Sequence, residues 1–176
     1  ASSASGDHSV PVVTLIAAMA KKTGKKFVVD PRVNSNVTLI EESPASIDYA
    51  EFLAILQVNG YAAVEDAGLV RVVPDVMARQ LASPIVTGKQ TGAGSEYVSK
   101  VIAVHNIPAG LLVPILRPLL PQQAHLVAAT CTNDLLIVDT ASNVKRIETL
   151  VQSLDKGEPI QTPNCASLPS KSESKT

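Results

Sequence analysis

Two cysteines, Cys131 and Cys165, and three histidines, His8, His105 and His125, are the residues of this chain best suited to bind a metal or attack a substrate. A metal site needs ligands that converge, but neither cysteine belongs to a CxxC pair and the histidines are scattered. In an oxidising compartment Cys131 and Cys165 could pair as a disulfide, the alternative being a free thiol at each. The carboxylates Glu41, Glu42, Asp48, Glu51, Glu65 and Asp66 fall mostly in loops and helix caps, where solvation or capping outweighs acid–base work. Gly88, Gly92 and Gly94 form a Gly-rich stretch with no strong helix behind it, so it reads as a linker and not as a phosphate loop. No G-x-S-x-G elbow and no triad order is present. The expectation is a protein without catalytic residues, cofactor or metal.

The elements that would position these residues are easier to read. An apolar stripe of Val12, Val13, Leu15, Ile16, Met19 and Ala20 predicts a helix over 10–23. Pro11 suits its first turn, Lys21 and Lys22 its last, and Gly24 its stop. A strand Phe27–Val29 ends at Asp30-Pro31. Asn34-Ser35-Asn36 is a turn, and Val37–Ile40 is the next strand. A second helix, over about 48–58, opens on a capping box formed by Asp48 and Glu51. A hairpin follows, with strands at 61–64 and 69–73. Residues 10–80 thus make a small α+β domain of order α-β-β-α-β-β.

Residues 81–96 are polar and Gly-rich and read as a flexible linker. A second domain, 97–157, has the order β-α-β-β-α. Its strands are at 97–105, 125–130 and 135–139, and its helices at 109–119 and 141–155. Pro114 should kink or break the first helix, and Thr140 or Ser142 should cap the last. Residues 1–9 read as a flexible N-terminus and 158–176 as a disordered tail. The second domain's order is KH-like. RNA-binding KH domains use a GxxG loop, however, and Gly110 has no glycine three residues on.

Fifteen basic against sixteen acidic residues leave a net charge of −1, and no clustered positive surface for nucleic acid. No apolar run is long enough to span a bilayer as a helix. Aromatic residues make up only 3% and tryptophan is absent, so Val, Ile, Leu and Ala must build the core.

Two sets of residues resemble one family in its own order. Gly24–Val33 with Val37-Thr38, Phe52-Leu53-Ala54-Ile55-Leu56, Asn59-Gly60-Tyr61-Ala62-Ala63 and Val70-Arg71-Val72-Val73-Pro74 resemble the first periplasmic domain of type II secretion secretins. Val98–His105, Ile107-Pro108, Leu116-Arg117-Pro118-Leu119, Asn133–Asp139 and Asn143-Val144-Lys145-Arg146-Ile147 resemble the second. The resemblance implies a non-enzymatic docking and assembly module in the periplasm of a Gram-negative bacterium, associated with the outer-membrane secretin ring. Its implied partners are an inner-membrane platform protein, other secretin subunits and secreted cargo, with neither nucleic acid nor membrane insertion by this segment. Alternatives are a short secretin-like accessory protein and a TonB-dependent receptor signalling domain.

Two departures from the family pattern stand out. The further repeats and the membrane barrel of secretins do not follow, which suggests a fragment or a separate short protein. The apolar strand that precedes the first helix in the family is replaced by residues 1–9, a poor strand sequence. Docking is expected at an edge strand comprising Leu69, Val70, Arg71, Val72 and Val73. Contact with neighbouring copies is expected at Arg117, Lys145 and Arg146.

Overall fold

The computed structural model describes residues 7–40, 43–81, 83–88, 92 and 94–161. The fold is α+β, in two small units. Unit 1 contains β1 (Asp7–Pro11), α1 (Val12–Thr23), β2 (Lys26–Val29), β3 (Asn36–Ile40), α2 (Tyr49–Val58), β4 (Tyr61–Asp66), β5 (Leu69–Pro74) and the short α3 (Asp75–Ala78). Unit 2 contains β6 (Tyr97–Ala103), α4 (Ala109–Leu116), β7 (His125–Ala129), β8 (Asp134–Thr140) and α5 (Ala141–Leu154).

In unit 1 the strands form two sheets, β1-β3 and β2-β5-β4. One apolar core joins both sheets to α1 and α2 through Leu15, Met19, Leu39, Phe52, Leu56 and Val72. Phe52 is fully buried and takes Phe27 edge-on at 5.9 Å between ring centroids. Helix α1 stops where the sequence places its stop. Gly24 enters the left-handed region at φ 69°, and its amide donates to the Ala20 carbonyl at 2.9 Å. At the start of α2 the Glu51 amide donates to Asp48 Oδ1 at 2.8 Å. The Asp48 amide donates back to Glu51 Oε2 at 2.7 Å, so both ends of the capping box are made.

Unit 2 is an antiparallel sheet of order β6-β8-β7. Helices α4 and α5 cover one face, with Leu112, Leu116, Leu135, Ile137, Ile147 and Val151 in the core. Pro114 lies inside α4, which ends at Leu116 and passes into a 3-10 turn, Arg117–Leu119. Asn133 sits in the left-handed region at φ 58°. Its side chain accepts from the Ala109 amide at 2.7 Å and donates to the carbonyls of Val104 (2.7 Å) and Ile107 (3.0 Å). That buried amide pins the β7–β8 turn to the start of α4. At the other end of the unit, burial pulls the Asp155 carboxyl up, but the amides of His105, Asn106 and Ile107 outweigh it and hold it below the usual range.

Three readings of the sequence change here. Residues 7–9, expected in a flexible N-terminus, and residues 10 and 11, expected in the first helix, form β1 and pair antiparallel with β3, Val10 opposite Val37. Backbone pairing needs no apolar side chain, so a polar segment can occupy the free edge of β3. The first helix accordingly starts at Val12. Secondly, the start of α5 has no side-chain cap. The Ala141 and Ser142 amides donate instead to the carbonyls of Glu96 and Gly94, each at 2.8 Å. Thirdly, the described part of the expected linker is tied to unit 2. Ser99 donates to the Pro84 carbonyl and Val86 to the Ser99 carbonyl, both at 2.9 Å. Lys100 Nζ donates to the Gly88 carbonyl at 2.9 Å.

Tyr97, at the head of β6, is 3% exposed and packs with Ala62, Val64 and Ala78 on the second face of the unit 1 sheet. Gln123 Nε2 donates to Asp75 Oδ2 at 2.7 Å, and Ser95 Oγ to Gln57 Oε1 at 2.8 Å. Both contacts join the units.

Candidate docking and assembly surfaces

Unit 1 offers one surface built for backbone recognition. Among the described residues, strands β1 and β3 pair only with each other, so each has an outer edge whose amides and carbonyls no described strand pairs. Such an edge accepts a further strand. Beside β3 runs a groove of about 210 Å3 lined by Val37, Thr38, Ala54, Ile55, Val58 and Asn59. Val58 is 87% exposed and Ile40 73%. Aliphatic side chains this exposed beside an open edge form a surface that gains from being covered.

The expected docking strand is not there. Leu69, Val70, Arg71, Val72 and Val73 lie in β5, the middle strand, paired in parallel with β2 and antiparallel with β4. Both backbone edges are used, and Val70 and Val72 are fully buried. Alternating Val residues look alike in a central and an edge strand, and only pairing tells them apart. Arg71 forms a surface ion pair with Asp66 at 3.4 Å. The signal missed was the polar N-terminal segment, whose pairing no side-chain pattern announces.

Unit 2 offers side-chain faces instead. Val101 pairs with Leu136, and Leu136 with Val127. The three form an exposed apolar row across the sheet face that the helices leave open. On α4 and the 3-10 turn, Leu111, Ile115 and Leu119 are also exposed. Unit 2 therefore carries apolar surface both on its open sheet face and on its helical side.

The three cations expected to meet neighbouring copies divide. Arg117 donates to the carbonyls of Ala124 (2.7 Å) and Gln122 (3.1 Å). Arg146 donates to the Leu119 carbonyl at 2.6 Å. Both hold the 117–124 loop of their own chain, and Arg146, like Lys145, is exposed on α5. Near them the carboxyl of fully buried Asp139 is pushed up by burial. The Thr140 amide and Asn143 side chain oppose that shift, as do Arg146 and Arg117. Lys100, also buried, reaches Glu148 at 2.7 Å.

Among the described residues no group of three His, Cys, Asp or Glu could hold a metal, and no helix is long and apolar enough to cross a membrane. Cys131 is disulfide-bonded. Cys165, its expected partner, lies outside the described residues.

Residues 9–72 match the model of the GspD-like N0 domain, and residues 99–160 match the bacterial type II/III secretion system short domain. The chain belongs to the type II secretion secretin family. The second match lies in the region that the receptor-signalling alternative leaves unassigned. Among curated relatives, secretin XcpQ of Pseudomonas aeruginosa is 34% identical over 143 residues, 80% of this chain and 21% of its own length. Secretin GspD of Vibrio cholerae is 31% identical over 150 residues, 80% and 22% respectively. The chain thus spans about a fifth of the length of these secretins. Among solved structures, a chain of the Klebsiella pneumoniae type II secretion system outer membrane complex (PulD, PulS and PulC HR domain) is similar at a TM-score of 0.72 and 28% identity. That match covers 88% of this chain and 27% of the other, so the likeness extends over both units.

Proposed function

We propose that this chain is a non-enzymatic, periplasmic docking and assembly module of a type II secretion secretin. Unit 1 meets an inner-membrane platform component and unit 2 packs against neighbouring copies in a ring through which folded cargo leaves the cell. The observation that carries the docking half is the open β1–β3 edge beside the groove under Val58. A strand laid on that edge gains main-chain hydrogen bonds, and its alternate side chains enter the groove. The likeness to a secretin assembly whose description includes the PulC HR domain supports the same reading.

The assembly half rests on the two apolar surfaces of unit 2. A helix face on one copy and a sheet face on the next make a head-to-tail contact. Such contacts close into rings when the rotation per copy allows it. The test is titration of the full chain with a PulC HR-type domain by calorimetry. One-to-one binding that shifts β1 and β3 amide resonances supports the proposal. Binding confined to unit 2, or none, overturns its docking half.

A further inference from the structure

The chain crosses from unit 1 to unit 2 with little slack. Leu81 packs with Ala62, Val64, Ala78 and Tyr97, and its amide donates to the Ala78 carbonyl at 3.2 Å. Ser83 already belongs to unit 2, since its hydroxyl shares a hydrogen bond of 2.6 Å with that of Ser99 on β6. Ile85 then bridges Ser99 in parallel, and Val86 packs on the unit 2 core. The covalent crossing is therefore the step from Leu81 to Ser83, about 7 Å of chain at full extension, and not a linker running to residue 96. A second connection starts from two arginines. Arg117 holds the Gln122 and Ala124 carbonyls and Arg146 the Leu119 carbonyl, which fixes the loop that carries Gln123. Gln123 Nε2 reaches Asp75 Oδ2 of unit 1 at 2.7 Å, and the same side chain bonds to the Tyr97 hydroxyl. Asp75 is set in turn by its amide, which donates to the Gly60 carbonyl at 3.0 Å. A buried tyrosine needs a partner for its hydroxyl, and here that partner also grips unit 1. Burial pushes the Tyr97 hydroxyl up, with Asp139 and Asp75 adding and the Gln123 bond opposing, so the ring enters the joint uncharged.

We propose that Tyr97, Gln123 and Asp75 form an inter-unit clasp that, with the short crossing at 81–83, holds the two units in one orientation. Each unit keeps its own core, so the clasp governs orientation and not folding. Arg117 and Arg146 are positioning residues for it, acting through the loop that presents Gln123. The polar half of the clasp borders a cleft of about 320 Å3 lined by Val76, Arg79, Gln122 and Gln123, whereas Tyr97 is buried and carries most of the contact. On the assembly reading given above, a fixed orientation makes every copy in a ring present its β1–β3 edge at the same angle. The clasp itself does not depend on that reading.

The test is NMR of the full chain in a dilute aligning medium, with no partner present. Residual dipolar couplings from both units should fit one common alignment tensor. Gln123→Leu removes the polar bonds and Tyr97→Ala the packed ring. In the double variant the units should need separate tensors, while the Leu56 and Ile147 amides keep their chemical shifts. Tyr97→Ala should also speed hydrogen exchange at the Leu81 amide about tenfold or more. Gln123→Glu sets a second carboxylate against Asp75 and should loosen the joint with the ring still in place, which keeps the test decisive if Tyr97→Ala does not fold. Arg117→Met should raise Leu81 exchange as well, an effect across the joint that losing the loop's own bonds would not produce. The proposal is overturned by separate tensors in the unaltered chain, or by a common tensor that survives both Gln123→Glu and the double variant. Leu81 exchange that ignores Arg117→Met overturns the positioning role.

Discussion

The two units solve the same packing problem with different materials. Unit 1 closes its core with aromatic rings, Phe27, Phe52 and Tyr49; its described residues include no buried charge, and the polar atom it buries, Ser35 Oγ, has no hydrogen-bond partner. Unit 2 has an aliphatic core and contains the four residues that are buried and polar or charged among those described, Lys100, Asn133, Asp139 and Thr140. Those groups pin its loops, because a buried polar group is tolerated only in the geometry that satisfies it. Both units have edge strands, β7 in unit 2 among them, but unit 1 sets its β1–β3 edge beside an apolar groove, whereas unit 2 holds its loops fixed and presents side-chain faces. Open edges suit docking by strand addition, and rigid apolar faces suit packing of identical copies.

Substitutions can break this contrast one unit at a time. Phe52→Ala should have the largest effect, costing unit 1 about 3–5 kcal/mol. It should abolish the unit 1 melting transition while unit 2 amides keep their chemical shifts. Asn133→Ala should cost unit 2 about 2–4 kcal/mol, since it strands one amide and two carbonyls and forces alanine into the left-handed region. Asn133→Gly should recover only the backbone part, and denaturant unfolding followed by NMR separates the two. Glu148→Ala, which leaves Lys100 buried beside the Gly88 carbonyl alone, should cost about 1–3 kcal/mol. Lys100→Met should be close to neutral, because an apolar replacement removes the desolvation cost along with the pair.

Acid should act through carboxyls on both units. Beside Arg32, whose side chain and amide both donate to it, the Asp30 carboxyl falls to about 2, and Asp155 is also depressed. A depressed carboxyl stabilises the fold above its unfolded value and stops doing so as pH falls through its folded value. Melting temperature should therefore drop between about pH 4 and pH 2. Asp139 has the opposite sign. Its raised value means the fold prefers it protonated, so Asp139→Asn should flatten any loss of stability as pH rises from about 4.

Most of the fold was legible in the sequence because it rests on local signals. The Asp48/Glu51 box, the Gly24 stop and the apolar period of α5 each declare themselves within a few residues, whereas the helix α4 runs on through Pro114 to Leu116. The missed features depend on partners distant in sequence. β1 exists because β3 has an edge to fill, α5 is capped by carbonyls of residues 94 and 96, and β5 is central because β2 returns beside it. The surfaces were harder still. Arg117 and Arg146 look like free charges until the loop carbonyls they hold are in view, and Leu136 looks like core until its neighbours Val101 and Val127 show which face is open.

The central claim is that docking and assembly belong to separate units, and a crossed pair of variants tests it most directly. Binding to a PulC HR-type domain and self-association by sedimentation would be measured for Val58→Asp and Leu136→Asp. Val58→Asp should weaken docking at least about tenfold, a loss of about 1.4 kcal/mol, and leave self-association intact. Leu136→Asp should do the reverse. If both variants impair both activities equally, or if Leu136→Asp alone abolishes docking, the division of labour between the units is wrong.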